Sequence, residues 1–316
     1  MIISAIYDIH NRKDIAQQFW GTGDDQYRQF STAEARLTAA VTASNVAGAD
    51  YLIIGGDAVD GHSQDYEGTD ADRKIAVQAR LDELIAITDT FSGEIIWVLG
   101  NHEIFAWLAE YSVDLTPADF WTKVDTGSNG VTRANEWNPD VDGTLAYTFD
   151  AGGIRYVVIY AHGSFDLQSP GAVEERTWLS TAINTTLPVV VISHATLTDT
   201  PNTYGVVNNA ATIRADLEAA GNVQLVIQGH YHRNSISGYT VPYQTISDIL
   251  YVSCRGSVLG ADDGDSSDTA TTADSAYYLF DILPDAYLGD SRPRANVTVT
   301  GYEQGKNKEQ DTFVLA

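Results

Sequence analysis

Cysteine, basic residues and long apolar runs are all scarce in this sequence of 316 residues. Cys254 is the only cysteine, so an intrachain disulfide is excluded, and a reducing compartment is permitted without being proven. No apolar run approaches the roughly 20 residues that a membrane-spanning helix needs, and the N-terminus does not resemble a signal peptide. We therefore expect no membrane association. The cytoplasm is slightly favoured as the location, although the compartment stays open.

Acidic residues strongly outnumber basic residues in this sequence. The chain carries 43 acidic against 18 basic residues, a formal net charge of −25. Such a surface repels phosphate backbones at long range, which argues against non-specific binding to nucleic acid. A bound metal ion could still override this field locally.

Short apolar runs alternate with stretches of helical periodicity. Each run has the near-continuous hydrophobicity of a strand buried on both faces. The runs cover residues 2–7, 51–56, 95–100, 154–161, 188–193, 223–229 and 249–254, and the helical stretches cover 31–48, 71–91, 172–184 and 209–221. A capping box, Ser31-x-x-Glu34, is predicted to open the first helix. This alternation predicts an α/β fold.

One stretch interrupts the alternation. Residues 104–144 are rich in aromatic side chains and turn signals, and we interpret them as a cap-like insertion within a single domain of residues 1–316. Its aromatic residues are Phe105, Trp107, Tyr111, Phe120, Trp121 and Trp137. A local core under a long loop is the favoured interpretation of these rings. A wall facing the substrate is the alternative.

Five of the apolar runs end in residue types that bind metals. The run ends supply Asp8 and His10, then Asp57, then Asn101 and His102, then His194, and finally His230 and His232. Ligands of α/β proteins gather at the carboxyl ends of strands, because loops converge there. Each residue alone has a structural explanation, such as a hydrogen-bonded histidine or a turn aspartate. Five of the seven histidines in the chain lie at these ends, however, and the joint pattern favours a metal site.

The residue types also indicate the kind of metal. With His102 set apart, the other seven residues offer oxygen and nitrogen donors without a thiolate, which are too many for one tetrahedral zinc. They suit two divalent or mixed-valence ions of Mn, Fe, Zn or Co, with a bridging oxygen ligand. Such a pair can activate a shared water and hold both ends of an in-line displacement.

The five motifs, in this order, resemble those of the calcineurin-like metallophosphoesterases. They are Asp8-x-His10, Gly56-Asp57, Gly100-Asn101-His102-Glu103, His194 and Gly229-His230-x-His232. The resemblance implies a four-layer α/β/β/α sandwich of two packed mixed sheets. It implies two metal ions, for which Mn or Fe is favoured. One would be bound by Asp8, His10, Asp57 and His232, and the other by Asp57, Asn101, His194 and His230. A metal-bound hydroxide would attack phosphorus, His102 would protonate the leaving oxygen, and Glu103 would orient His102.

The departures from the family pattern narrow the choice of subfamily. Tyr7 stands where a small residue is usual, and Asp60 stands where purple acid phosphatases place a tyrosine ligand. The complete motif set is more similar to class III cyclic-nucleotide phosphodiesterases, so we expect a phosphodiesterase or phosphatase with a small, nucleotide-like substrate. An inactive binding protein of the same fold and a nuclease of the superfamily are the alternatives. The roles of His62, His162 and Arg12, the mono- or diesterase specificity and the oligomeric state stay open.

Overall fold

The computed structural model describes most of the chain, and every structural statement below refers to that part. The described residues are 1–11, 18–20, 26–28, 32–60, 69–103, 116–126, 129–137, 143–160, 172–198, 210–230, 243–254, 256, 277–285, 294–303 and 306–314.

The described chain contains five helices and fifteen strands. The helices are α1 (Ala33–Ala47), α2 (Asp70–Thr88), α3 (Pro117–Val124), α4 (Ala172–Ala182) and α5 (Ala210–Ala220). The strands up to the middle of the chain are β1 (Ile2–Ile6), β2 (Gln18–Trp20), β3 (Gln26–Arg28), β4 (Tyr51–Ile54), β5 (Glu94–Trp97), β6 (Ala134–Trp137), β7 (Ala146–Ala151) and β8 (Ile154–Ile159). The others are β9 (Val189–Ser193), β10 (Val223–Gln228), β11 (Tyr243–Ile246), β12 (Ile249–Ser253), β13 (Tyr277–Asp285), β14 (Arg294–Glu303) and β15 (Lys306–Val314).

Two mixed sheets form the body of the molecule, and β2 and β3 form a separate hairpin. The first sheet has the order β15-β14-β13-β1-β4-β5, and its β1, β4 and β5 run parallel. The second has the order β11-β12-β10-β9-β8-β7-β6, and its β8, β9, β10 and β12 run parallel. In both sheets the antiparallel strands lie outside the parallel ones. The predicted α/β fold with two mixed sheets is confirmed.

The second sheet is buried on both faces, as its continuous apolar strands predicted. Successive residues of β9 point to opposite sides: Val190 and Ile192 pack in the main core, which also contains Ile53 of the first sheet. Val189 and Val191 pack in a second core with Leu179 of α4 and Leu217 of α5. A strand whose two faces both meet apolar layers needs hydrophobic residues at every position. Because the main core holds strands of both sheets, the sheets lie against each other.

The described part of the first helix begins at Ala33 after Thr32, whose side chain makes no capping hydrogen bond. Ser31 lies outside the described residues, so the capping box of Ser31 and Glu34 stays a prediction. Two capping boxes occur elsewhere, Thr69 with Asp72 at α2 and Thr116 with Asp119 at α3. The predicted stop of the first helix at Gly48 is confirmed, because this glycine has φ 69°.

Part of the segment 104–144 packs into the main core. Phe120 and Trp121 of α3 are buried there, and the Phe120 ring meets the Trp97 ring edge-on at 6.0 Å. Lys74 of α2 and Asp119 of α3 form an ion pair at 2.7 Å, which ties the segment to the helical layer. Residues 104–115, with Phe105 and Trp107, lie outside the described residues. The cap over the site therefore stays a prediction.

Candidate metal centre

The loops that follow five parallel strands meet at one place. Asp8 follows β1, Asp57 follows β4, Asn101 follows β5, His194 follows β9 and His230 follows β10. Backbone hydrogen bonds join these loops. The amide of Asp8 donates to the carbonyl of Gly56 at 3.1 Å, and that of Gly229 donates to the carbonyl of His194 at 2.9 Å. The carboxyl ends of both sheets thus supply the candidate ligands, as the sequence predicted.

Backbone strain is concentrated at this place. Seven described residues other than glycine have a positive φ, and four of them are predicted ligands. These four are Asp8 (53°), His10 (49°), Asp57 (49°) and His230 (69°). An L-residue in the left-handed region costs about 1 kcal/mol or more, and such strain persists where the surrounding structure enforces it. The surrounding structure therefore holds these four residues in a strained backbone conformation, which sets the direction of their side chains.

Asp57 lies at the centre of the cluster. Its Oδ1 atom accepts a hydrogen bond from the amide of His102 at 2.8 Å. Its Oδ2 atom lies 3.3 Å from Nε2 of His194, 3.6 Å from Nε2 of His10 and 3.7 Å from Nε2 of His102. Burial opposes ionisation of Asp57, but the charges of His102, His194 and His10 hold its pKa well below the usual range. A buried carboxylate oxygen facing three imidazole nitrogens is a natural position for a bridging metal ligand.

His194 connects Asp57 to the second sheet. Its Nδ1 atom donates to the carbonyl of Gly55 at 2.9 Å, which leaves Nε2 to face the interior. That Nε2 lies 3.1 Å from Oδ1 of Asn101 and 3.1 Å from Nδ1 of His230. Burial alone would lower the pKa of His194, but the carboxylates of Asp57 and Asp8 raise it to about 9.

Two overlapping groups of donor atoms result, and the donor set fits metal ions. Asp8, Asp57, His194 and His230 place one ligand atom each within 4.8 Å of one another, and so do His10, Asp57 and His102. Asp57 belongs to both groups. Among the described residues its Oδ2 has no well-formed hydrogen bond, although it is buried. Since a buried charge needs a counter-charge, a cation at this position satisfies the oxygen and the surrounding imidazoles together.

The partner of His102 differs from the prediction. The sequence assigned this role to Glu103, but Oδ1 of the fully buried Asp60 lies 2.7 Å from Nδ1 of His102. The carboxylate of Glu103 instead accepts three backbone hydrogen bonds, from Asp57 at 3.0 Å, Val59 at 3.2 Å and Gly100 at 2.7 Å. Glu103 thus fixes the loops after β4 and β5 to each other. In the sequence, Asp60 is notable only because it stands where purple acid phosphatases place a tyrosine ligand, and no sequence pattern gives a reason to pair Asp60 with His102.

Four residues singled out in the sequence lie outside the part of the chain that the structure describes. His232, a predicted ligand, lies outside the described residues. The same holds for His62, His162 and Arg12. The described structure thus brings together six of the predicted ligands, Asp8, His10, Asp57, Asn101, His194 and His230, with His102 among them.

Two packed mixed sheets with an aspartate, asparagine and histidine cluster at their carboxyl ends define the metallo-dependent phosphatase fold. The family described as calcineurin-like phosphoesterase matches this sequence over residues 5–234. The chain therefore belongs to the calcineurin-like phosphoesterase family. The resemblance deduced from the five motifs is confirmed.

Solved structures with this fold include two phosphatases. A dimetal phosphatase from Danio rerio is 14% identical, with a TM-score of 0.67 over 100% of this chain and 99% of that chain. A purple acid phosphatase, PPD1 from seeds of yellow lupin (Lupinus luteus), is 12% identical, with a TM-score of 0.54. The alignment covers 99% of this chain and 53% of the lupin chain, so this chain spans about half of the lupin protein. At these identities the likeness shows the fold alone.

No curated protein sequence matches this chain significantly. Within the described residues, none of the helices has the length and apolar character needed to cross a bilayer.

Proposed function

We propose that this protein is a dinuclear metal-dependent phosphoesterase that hydrolyses a monoester or diester of a small, nucleotide-like phosphate. The observation that carries the proposal is the double membership of Asp57 in two groups of ligand atoms. A carboxylate shared in this way suits two cations held side by side. The family membership supports the same class of reaction.

Following the family resemblance, we assign one metal to Asp8, His10, Asp57 and His232, and the other to Asp57, Asn101, His194 and His230. The two groups of donor atoms divide differently, because Asp8 lies with His194 and His230 while His102 lies with His10. The described geometry supports the second set most directly, because Asn101, His194 and His230 converge with donor atoms 3.1 Å apart. Oxygen and imidazole donors without a thiolate suit Mn, Fe, Zn or Co. Among these we favour Mn or Fe, as the family resemblance implies. When bound, such a pair polarises the phosphoryl oxygens and lowers the pKa of a water molecule.

His102 is proposed as the residue that protonates the leaving oxygen. An ionised Asp60 can only accept a hydrogen bond, so Nδ1 of His102 carries the proton between them. The same carboxylate stabilises the imidazolium, whose Nε2–H is then the group available for donation. The Nε2 atom lies on the side of Asp57, where the reaction would take place. Residues of this kind contribute about 10²–10⁴-fold to a rate.

The electrostatics support a small substrate rather than a polymer. Most lysine and arginine side chains that the structure describes on the surface are bound to carboxylates, as in the pairs Lys123–Asp82, Arg155–Asp150 and Arg176–Asp216. With a net charge of −25, the surface repels a long polyanion. A small phosphate ester brings far less negative charge into this field than a polymer does, so we infer a small substrate.

A substrate screen tests the proposal. Purified protein loaded with Mn²⁺ is expected to cleave p-nitrophenyl phosphate, its bis ester, or a member of a nucleotide panel, and a chelator should abolish the activity. The ratio of the two p-nitrophenyl substrates separates phosphatase from phosphodiesterase. Protein that binds two Mn²⁺ and cleaves none of these compounds would contradict the proposal and favour an inactive binding protein. Asp57→Asn should abolish the Mn²⁺-dependent activity, because Asp57 belongs to both groups of ligand atoms. Asp89→Asn changes an exposed carboxylate outside the cluster, so this matched control should keep the activity.

A further inference from the structure

Tyr7 joins the two sheets beside the candidate metal centre. It lies between the end of β1 and Asp8, at a position where the family resemblance leads us to expect a small residue. Its side chain is fully buried, and its hydroxyl donates to the carbonyl of Ile227 in β10 at 3.2 Å. Its backbone forms a parallel bridge with Gly256, which follows β12. A residue of the first sheet is thus attached to two elements of the second.

The ring of Tyr7 fills the space between two glycines. A Cβ atom built on Gly55 would lie 2.3 Å from the ring, and one built on Gly229 would lie 2.1 Å from it. Real Cβ atoms do not approach so closely, so both backbones touch the ring directly. Neither glycine has a positive φ. The ring, and not the backbone conformation, therefore demands glycine at both positions.

Both glycines also hold His194. The carbonyl of Gly55 accepts from Nδ1 of His194, and the amide of Gly229 donates to the carbonyl of His194, each at 2.9 Å. Gly55 precedes Asp57 by two residues, and Gly229 directly precedes His230. The ring therefore stands between the loops that carry candidate ligands from the two sheets.

We propose that Tyr7 is a positioning residue that sets the separation between the ligands of the first sheet and those of the second. Asp8 directly follows Tyr7, and His194 is hydrogen-bonded to both glycines that touch the ring. In the assignment above the first sheet supplies Asp8 and His10 to one cation and the second sheet supplies His194 and His230 to the other, so the spacing of the two loops sets the distance between the cations. This inference rests on the proposed dinuclear centre and goes beyond it, because it concerns a residue that binds neither metal nor substrate.

The geometry of the metal pair is the direct readout. Two Mn²⁺ ions a few ångströms apart give an exchange-coupled electron paramagnetic resonance spectrum that depends on their separation. We expect Tyr7→Ala to change this spectrum and to weaken binding of one Mn²⁺ by about 10–100-fold, as loss of a supporting residue does in other metal sites. Tyr7→Phe keeps the ring and is expected to keep the spectrum.

A matched control separates positioning from packing. Tyr147 is also buried in the main core, and its hydroxyl donates to the carbonyl of Trp97 at 2.8 Å. Tyr147→Ala should lower the melting temperature by leaving a similar cavity, while the spectrum of the Mn²⁺ pair stays the same. Where Tyr7→Ala fails to fold, Tyr7→Leu, which retains most of the apolar volume, takes its place.

A double substitution gives an independent test. Gly229→Ala alone forces its methyl group against the Tyr7 ring and should disturb the metal pair. In combination with Tyr7→Ala the clash is removed, so the double variant should bind metal better than Gly229→Ala alone. Such non-additivity is expected only for residues in contact.

The outcomes distinguish this inference from the proposed function. Wild-type protein that binds fewer than two Mn²⁺ ions would refute the dinuclear centre, and the inference with it. A coupled pair in the wild type whose spectrum and affinity are unchanged in folded Tyr7→Ala or Tyr7→Leu would overturn the inference alone.

Discussion

The Nδ1 atom of His102 lies 2.7 Å from Oδ1 of Asp60, and both side chains are buried. Asp60 holds the imidazole by one nitrogen and leaves the other facing Asp57. The rings of His10 and His102 form a T-shaped contact with their centroids 4.4 Å apart, which restricts the rotation of His102 further. His102 is therefore held in one orientation by contacts on two sides.

Asp60→Asn should reduce turnover without loss of metal. The amide cannot stabilise an imidazolium as a carboxylate does, so we expect kcat to fall by about 10–100-fold. Metal content, measured by elemental analysis, should stay at the wild-type value. An equal loss in the exposed-site control Asp89→Asn would show that the effect has another cause.

His102→Ala should reduce turnover by about 10²–10⁴-fold and leave both metals bound, because His102 is assigned to the leaving oxygen. Activity and metal stoichiometry are measured on the same preparation. Loss of one metal from this variant would instead identify His102 as a ligand, a role that its proximity to His10 and Asp57 permits sterically.

Metal binding should stabilise the fold, and Asp57→Asn should remove this effect. A ligand that binds only the folded state at 100 times its Kd adds about 2.7 kcal/mol. Wild-type protein should therefore melt at a higher temperature with Mn²⁺ than with a chelator. Because Asp57 serves both groups of ligands, its loss should abolish the shift rather than halve it. A residual shift of half size would argue against a bridging role.

Stability of the metal-free protein should fall as the pH rises from about 4.5 to about 7. Burial, followed by the charge of Asp57, raises the pKa of Glu103 from 4.5 to about 7. In this range the folded state binds more protons than the unfolded state, so the free energy of unfolding decreases with pH. Urea unfolding of Glu103→Gln should lack this share of the pH dependence. Glu94→Gln, at an exposed carboxylate of β5, should retain it.

Salt should raise the melting temperature. A net charge of −25 destabilises the compact state through self-repulsion. Raising the ionic strength from about 0.01 M to about 0.15 M shortens the Debye length from about 30 Å to about 8 Å and screens this repulsion. Differential scanning calorimetry of the metal-free protein checks the direction. A melting temperature that falls with salt would mean that ion pairs such as Arg155–Asp150 outweigh the repulsion.

The strands and the ligands could be predicted because they follow simple patterns. Buried parallel strands are continuously apolar, and candidate ligands follow them directly, as Asp57 follows Tyr51–Ile54. The edges of the sheets follow no such pattern. Arg294–Glu303 and Lys306–Val314 are long strands with many polar residues, and they were not predicted.

The contacts within the site depend on loop geometry, which the sequence does not reveal. Glu103 is adjacent to His102 in sequence, yet its carboxylate points to the backbone amides of Asp57, Val59 and Gly100. Asp60 is 42 residues away and reaches His102 because the loops after β4 and β5 lie side by side. The spacing role proposed for Tyr7 likewise depends on which glycines face its ring.

The position of β1 has a consequence for how the protein is made. This strand leads into Asp8 and His10, and it pairs with β4 on one side and with β13 on the other. A ribosome releases residues 2–6 long before residues 277–285. The strand therefore keeps an open edge until β13 has emerged, and truncation before Tyr277 would leave that edge open permanently.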